Sequence, residues 1–299
     1  MIEQFQQALP HGITLSCRAA GARGRPVLMF LHGFPEAAFV WDELLEHFAN
    51  PQHGGYHCVA PNLRGFERSS QPADVKEYRA KHLVQDITAL IAAEGRPLEC
   101  LVAHDWGGAV AWNVANQQPD LAKRLAIINS PHPGTFLRDL QSDAAQQAAS
   151  AYMNFLIRPD AEKLLREDGY RRLWGFFTDW GGAQWLTPAL RQQYRDVWDA
   201  SLTGGLNYYR AAPLRPPRAE DPAAAGVTLP REMLTVSLPT LVLWGMKDVA
   251  LLPKLLEGLD QYVPRLTIER VADASHWIVH EQPQFVADRL ARFLASPAG

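Results

Sequence analysis

The stretch LECLVAHDWGGA, residues Leu98–Ala109, combines a short strand of the buried type with an abrupt turn into a helix. The apolar run 101–103 is too short for a helix and is typical of a strand covered on both faces. Gly107 and Gly108 follow it, and good helix formers continue the chain. A sharp strand-to-helix turn needs small residues beside the residue at its apex, which here is Asp105. The stretch therefore predicts a carboxylate held at the apex of a tight turn.

Strand-like and helix-like segments alternate on both sides of this turn. Apolar runs typical of strands occupy residues 26–31, 57–60, 125–129, 240–244 and 266–271. Helical spacing of apolar residues marks residues 38–48, 81–93 and 284–294. This alternation predicts an α/β fold with a mostly parallel central sheet flanked by helices. Residues 13–19 alternate in polarity and predict an antiparallel edge strand.

The alternation stops in the middle of the chain. Residues 134–213 show helical patterns and many aromatic side chains but no convincing strand, and a proline-rich segment follows them. Strand character resumes at Thr240. We therefore predict one α/β domain, formed by residues 1–133 and 214–299, with a helical cap inserted at 134–213.

Composition limits the possible partners and the compartment. The 299 residues are 47% hydrophobic and 20% charged, with a formal net charge of −3. The absence of basic runs predicts no nucleic-acid partner, and no apolar run approaches the ~18 residues that span a bilayer. The N-terminal residues lack the features of a signal peptide, and three cysteines are an odd number. We therefore expect buried thiols in a reducing compartment, the cytoplasm, and the sequence leaves the oligomeric state open.

Three polar side chains follow strands of the predicted sheet. Asp105 follows one strand, Asp248 follows the strand 240–244, and His276 follows the last strand. Ligands of open α/β sheets bind beyond the carboxyl ends of the strands, so these side chains should lie at one edge. Taken singly, Asp105 could be a helix N-cap, Asp248 a turn residue and His276 a loop histidine. Their order along the chain, however, is that of nucleophile, acid and histidine in α/β hydrolases.

Four motifs carry a resemblance to a known family. They are HGFP at 32–35, HDWGG at 104–108, WGMKD at 244–248 and SHW at 275–277. Together they resemble the α/β-hydrolase-fold epoxide hydrolases over nearly the whole chain. The resemblance also implies two ring-opening tyrosines, Tyr152 and, within the segment 206–210, Tyr209. Adjacent helical positions point about 100° apart, so Tyr208 and Tyr209 should not both face the cavity.

The resemblance implies a role for each site residue. Asp105 would attack an epoxide carbon and form an ester, which His276, oriented by Asp248, would hydrolyse with water. The backbone N–H groups of Phe34 and Trp106 would form the oxyanion hole. Side chains expected to bind the substrate, an apolar epoxide, are Phe34, Trp106, Tyr152 and Tyr209. No metal or organic cofactor is required, and His32 and His104 are expected to be structural.

Other functions remain as alternatives. A haloalkane dehalogenase uses the same three groups, but Phe34 stands where its halide-binding Asn would be expected. A haloacetate dehalogenase needs arginines where Trp106 and Ala109 stand. An ordinary esterase is disfavoured because the turn carries neither Ser nor Cys. A ligand sensor that has kept the fold without turnover is disfavoured by the intact set of three groups.

Overall fold

The computed structural model of the protein describes residues 1–219 and 221–296. Its strands are β1 (Glu3–Ala8), β2 (Thr14–Ala20), β3 (Val27–Leu31), β4 (His57–Pro61), β5 (Cys100–His104), β6 (Leu125–Ile128), β7 (Thr240–Gly245) and β8 (Leu266–Val271). They form one sheet in the order β1-β2-β4-β3-β5-β6-β7-β8. Strands β3 to β8 are mutually parallel, and β2 is antiparallel to both its neighbours. The predicted α/β fold with a mostly parallel sheet is confirmed.

The central strands are buried on both faces, as their continuous apolar sequences predict. Every residue of β3, β4, β5, β6 and β7 is buried. In β3, Met29 and Leu31 pack into the core on one face, while Leu28 and Phe30 pack into the core on the other. This period of two divides the interior into two apolar layers, one on each side of the sheet.

The expected edge strand does not lie at the edge of the sheet. The segment predicted at 13–19 forms β2, which lies between β1 and β4. The edge is β1, with the sequence EQFQQA, which the sequence did not predict. Five of its six side chains are polar or small, and only Phe5 packs against the core. Because β1 is held mainly by main-chain hydrogen bonds to β2, its sequence carries no apolar pattern from which a strand could be predicted.

The described part of the chain contains ten α-helices. They are α1 (Asp42–Ala49), α2 (Ala80–Ala93), α3 (Trp106–Gln117), α4 (Pro133–Ser142), α5 (Ala144–Ala149), α6 (Ala151–Leu156), α7 (Ala161–Thr178), α8 (Pro188–Ala211), α9 (Ile278–Glu281) and α10 (Pro283–Ala295). Within residues 1–219 and 221–296, no helix has both the length and the apolar character needed to cross a membrane. All three cysteines are free and buried.

Helices α4–α8 lie between β6 and β7 in the chain and contact the loops at the carboxyl edge of the sheet. Three side chains form hydrogen bonds across this contact: Trp198 Nε1 to Pro35 O (2.7 Å), Tyr208 Oη to Arg64 O (2.8 Å) and Trp277 Nε1 to Phe176 O (2.9 Å). A Cβ atom on Gly204 would lie 2.0 Å from Gly65 O, so α8 approaches this loop more closely than any side chain permits. The assignment of 134–213 as a separate cap domain stays a prediction.

Candidate active site

Asp105 lies at the apex of the turn between β5 and α3. Its backbone has φ 49° and ψ −121°, a conformation that is uncommon for a residue with a side chain. The carboxylate does not cap α3, which removes the simplest structural explanation for an aspartate at this position. Instead Oδ1 accepts a hydrogen bond from the Phe34 N–H at 2.7 Å. A Cβ atom on Gly33 would lie 2.3 Å from Oδ1, so glycine is needed for this close approach.

Asp248 and His276 lie beside this carboxylate, as the strand-end positions predicted. His276 Nδ1 donates to Asp248 Oδ2 at 2.7 Å, and both side chains are buried. The other carboxylate oxygen of Asp248 accepts hydrogen bonds from the N–H groups of Ala250 and Leu251. With Nδ1 committed to Asp248, Nε2 is directed towards Asp105, 3.8 Å from its Oδ2. The structure thus brings the two carboxylates and the imidazole together in one chain of contacts.

Asn129 is a member of this group that the sequence analysis did not identify. It follows β6 directly and has a positive φ of 38°. Its Nδ2 donates to Asp248 Oδ2 at 2.7 Å, and its Oδ1 accepts from the Gly245 N–H at 2.8 Å. The sequence feature that could have identified Asn129 is a polar residue at the carboxyl end of a central strand. The same feature identifies Asp105. Asn129 therefore fixes the orientation of the carboxylate that holds His276.

The surroundings of His276 favour its charged form. Burial alone would lower the pKa of His276, but the charge of Asp248, the hydrogen bond to it and the charge of Asp105 raise the pKa to about 9. The imidazole is therefore protonated at neutral pH. Converting Asp105 to a neutral ester would remove one of the charges that raise this pKa.

The raised pKa predicts a pH dependence of stability. Because the imidazole titrates at 6.5 in the unfolded chain and at about 9 in the folded protein, folding tightens proton binding. The stabilisation is complete below pH 6.5 and is lost as the pH rises to about 9. Since a shift of one pKa unit corresponds to about 1.4 kcal/mol, we expect His276 to contribute a few kcal/mol to the free energy of unfolding below pH 6.5. Urea unfolding of the wild type and of His276→Gln over this range measures it, and a constant difference between the two would contradict the raised pKa.

The two predicted tyrosines come from separate helices of the insertion and meet near Asp105. Tyr152 lies on α6 and Tyr209 on α8, and their ring centroids are 6.1 Å apart. The ring of Tyr209 also lies edge-on to Trp106, at 5.0 Å between centroids. Burial and the nearby negative charge of Asp105 hold the pKa of both phenols well above the usual value. Both are therefore protonated hydrogen-bond donors at neutral pH. The hydroxyl of Tyr208 is used elsewhere, because it donates to Arg64 O.

A cavity of about 650 Å³ opens beside these residues. Its lining includes Asp105, Trp106, Tyr152, Tyr208 and Tyr209, so the prediction that only one of the two adjacent tyrosines would face the cavity is wrong. Most of the remaining wall is apolar and includes Leu83, Val110, Phe136, Met153, Leu214 and Leu251. This size and polarity suit a small organic ligand.

Phe34 and His276 are not part of the lining of this cavity. The Phe34 ring packs edge-on against Tyr209 and Phe176, at 5.3 Å and 6.3 Å between centroids. His276 is only 1% exposed. The Phe34 ring contacts Tyr209, which borders the cavity itself, and substrate binding by the Phe34 side chain stays a prediction.

His32 and His104 fix the loops around the site through main-chain hydrogen bonds. Leu63 N–H donates to His32 Nε2 at 3.0 Å, and His32 Nδ1 lies 2.9 Å from Gly33 O. Burial lowers the pKa of His32 to about 4, so its ring is neutral. His104 Nε2 donates to the carbonyl oxygen of His276 at 2.9 Å. Each histidine thus holds a loop that carries a site residue.

Comparison with known proteins shows the family to which the chain belongs. A family model of the alpha/beta hydrolase fold matches residues 26–283. The chain is 32% identical over 293 residues to epoxide hydrolase 3 of Xenopus tropicalis, which covers 95% of this chain and 75% of that protein. It is 31% identical over 295 residues to human epoxide hydrolase 4, with 95% and 76% covered. Fold and site together define a hydrolase of the α/β-hydrolase fold.

Similarity to solved structures narrows the class of protein from the α/β hydrolases to one family among them. The crystal structure of Bacillus megaterium epoxide hydrolase in complex with an inhibitor superposes with a TM-score of 0.88 at 31% identity, covering 98% of this chain and all of that one. An epoxide hydrolase from metagenomes of hot environments has a TM-score of 0.88 at 36% identity, covering 99% of this chain and 100% of that chain. The chain belongs to the α/β-hydrolase-fold epoxide hydrolase family.

Proposed function

We propose that this protein hydrolyses an epoxide to a vicinal diol through a covalent ester on Asp105. One observation carries the proposal: the Asp105 carboxylate and the phenols of Tyr152 and Tyr209 border the same cavity. A carboxylate can attack carbon, and two phenols can receive the oxygen that is released. His276, 3.8 Å from Asp105, supplies a base for the second step.

In the first step, Asp105 Oδ2 attacks one epoxide carbon, and the bond between that carbon and the ring oxygen breaks. The electron pair of this bond moves to the oxygen, which hydrogen-bonds with Tyr152 and Tyr209 and takes a proton from one of them. The tyrosinate regains its proton from solvent. Oδ2 is the attacking oxygen because Oδ1 is held by the Phe34 N–H. The products are an ester on Asp105 and a neighbouring hydroxyl group.

In the second step, His276 in its neutral form takes a proton from water, and the resulting hydroxide adds to Cγ of the ester. Negative charge develops on Oδ1, where the Phe34 N–H already donates. Collapse breaks the bond between Cγ and the alkyl oxygen, which receives the proton from His276. The diol leaves, the carboxylic acid formed on Asp105 releases its proton to solvent, and the carboxylate is restored. Trp106 N–H as the second donor to Oδ1 stays a prediction.

The substrate class follows from the wall of the cavity. Its lining is mostly apolar, so we propose a small epoxide with an apolar substituent, which needs no metal or organic cofactor. Residues 134–213 would act as a cap that supplies both tyrosines and excludes bulk water from the reacting carbon. Removing water strengthens the hydrogen bonds to the opening oxygen.

A panel of substrates tests the proposal. Purified protein is incubated with styrene oxide, 1,2-epoxyhexane, 1-chlorobutane and fluoroacetate, and diol and halide release are measured. We expect diol from the epoxides and no halide above the enzyme-free rate. The dehalogenase alternative uses the same Asp105 and His276, so halide release without diol would replace the proposed function by that alternative.

A further inference from the structure

We propose that Glu281 and Ser275 position His276 for hydrolysis of the ester. This inference rests on the proposed function, because it concerns the second of its two steps. Glu281 is the last residue of α9, and Ser275 directly precedes His276. Neither residue borders the cavity or touches Asp105, so neither is a catalytic residue.

One carboxylate closes the loop that carries His276. Glu281 Oε2 accepts the Ser275 N–H at 2.7 Å, and Glu281 Oε1 accepts the Ser275 hydroxyl at 2.6 Å. The same hydroxyl oxygen accepts the Trp277 N–H at 3.2 Å. The residues on both sides of His276 are therefore held through a single serine side chain. Hydrogen bonds to a charged acceptor are stronger than neutral ones, which suits a fixed loop.

Two further contacts restrict the loop that carries His276. A Cβ atom on Gly181, which lies between α7 and α8, would be 2.3 Å from Ser275 Oγ and 2.8 Å from Glu281 Oε1. The segment between α7 and α8 therefore packs directly against Ser275 and Glu281, and no side chain fits at position 181. On the other side, Lys247 N–H donates to Ala274 O at 2.9 Å, which joins the loop of Asp248 to the loop of His276.

The contacts indicate that Glu281 affects His276 by fixing its position and not by its charge. The charges with the largest effect on the pKa of His276 are those of Asp248, Asp105 and Glu36. Both oxygens of Glu281 are used by the loop itself. Asp105 is held separately, by the Phe34 N–H and by the turn between β5 and α3. Loosening the Glu281 contacts should therefore move His276 and leave the attacking carboxylate in place.

Two variants and one control test this inference. Glu281→Gln replaces one acceptor oxygen by a donor, and Ser275→Ala removes the hydroxyl that links the two sides of His276. Glu269→Gln is the matched control, since Glu269 lies on β8 and pairs at the surface with Arg289. Each protein is mixed with the epoxide of the panel that the wild type hydrolyses fastest. Rapid quenching and mass spectrometry of the Asp105 peptide give the rates of ester formation and of ester hydrolysis.

We expect ester hydrolysis to slow by about tenfold or more in both variants, because a misplaced base loses reactivity steeply with distance. Ester formation should stay within about twofold of the wild type, so the steady-state fraction of alkylated Asp105 rises. Glu269→Gln should change neither rate. If Glu281→Gln does not fold, Ser275→Ala decides the question, because it leaves the carboxylate and the Ser275 N–H in place.

The contrary results are distinguishable. Equal slowing of both steps, or no slowing of either, would overturn the positioning role and leave the proposed function intact. If no ester forms on Asp105 even in the wild type and in His276→Gln, the proposed function fails and this inference fails with it. Gly181→Ala gives an independent check from the insertion side, and it should slow hydrolysis selectively as well.

Discussion

We expect Asp105→Asn to abolish epoxide turnover, with kcat at least about 10⁴-fold below that of the wild type. A neutral amide at this position cannot form the ester, so the covalent route is lost completely. Diol formation measured by chromatography gives the loss. The matched control is Asp143→Asn at the N-cap of α5, where Asn caps as well as Asp does and kcat should be unchanged.

His276→Gln is the complementary variant in this experiment. Ester formation needs only Asp105 and the tyrosines, whereas ester hydrolysis loses its base and slows by about 10²–10⁴-fold. The ester should therefore accumulate, and the mass of the Asp105 peptide should rise by the mass of the epoxide. A His276→Gln protein that loses activity but never gains this mass would contradict the two-step scheme.

We expect removal of both tyrosine hydroxyls to have the second largest effect on the rate. We expect Tyr152→Phe or Tyr209→Phe alone to slow ester formation by about 10–100-fold, because one donor to the opening oxygen remains. The double variant should be slower by at least about 10³-fold, because no phenol remains to donate to the opening oxygen. Single-turnover measurement of ester formation distinguishes this loss from any change in hydrolysis.

Tyr208→Phe is the control for this series. Tyr208 adjoins Tyr209 in the chain, but its hydroxyl donates to Arg64 O. Its removal should reduce the free energy of unfolding by about 1 kcal/mol and leave the rate of ester formation near that of the wild type. Undiminished ester formation in the double variant would remove the phenols from the mechanism and reopen the dehalogenase alternative.

The mutual arrangement of Asp105, Asp248 and His276 could be predicted because all three follow strands of a parallel sheet. Such strands end at one edge, so residues distant in the chain must meet there. The same rule could have selected Asn129, which follows β6. The strand predicted at 125–129 includes this residue, whereas β6 ends at Ile128. The role of Asn129 becomes visible only in its two hydrogen bonds, to Asp248 and to Gly245.

Other features had no signal in the sequence. The edge strand β1 is mostly polar, so the alternation of residues 13–19 was interpreted as the edge. Phe34 was expected to contact substrate, but its ring packs behind Tyr209. The direction of such a ring depends on the side chains packed around it from α7 and α8, and no local pattern encodes that packing.

The sequence by itself determined the alternation of central strands with helices, the tight turn at Asp105 and the places of Asp105, Asp248 and His276 at the sheet edge. These follow from local apolar periodicity and from the small residues that a sharp turn requires. Only the tertiary structure decided which oxygen of Asp105 accepts the Phe34 N–H and how Glu281 binds the loop that carries His276. It also decided that tyrosines from α6 and α8 border the same cavity. Such contacts join residues far apart in the chain, and a difference of about 1 Å in packing is enough to make or break them.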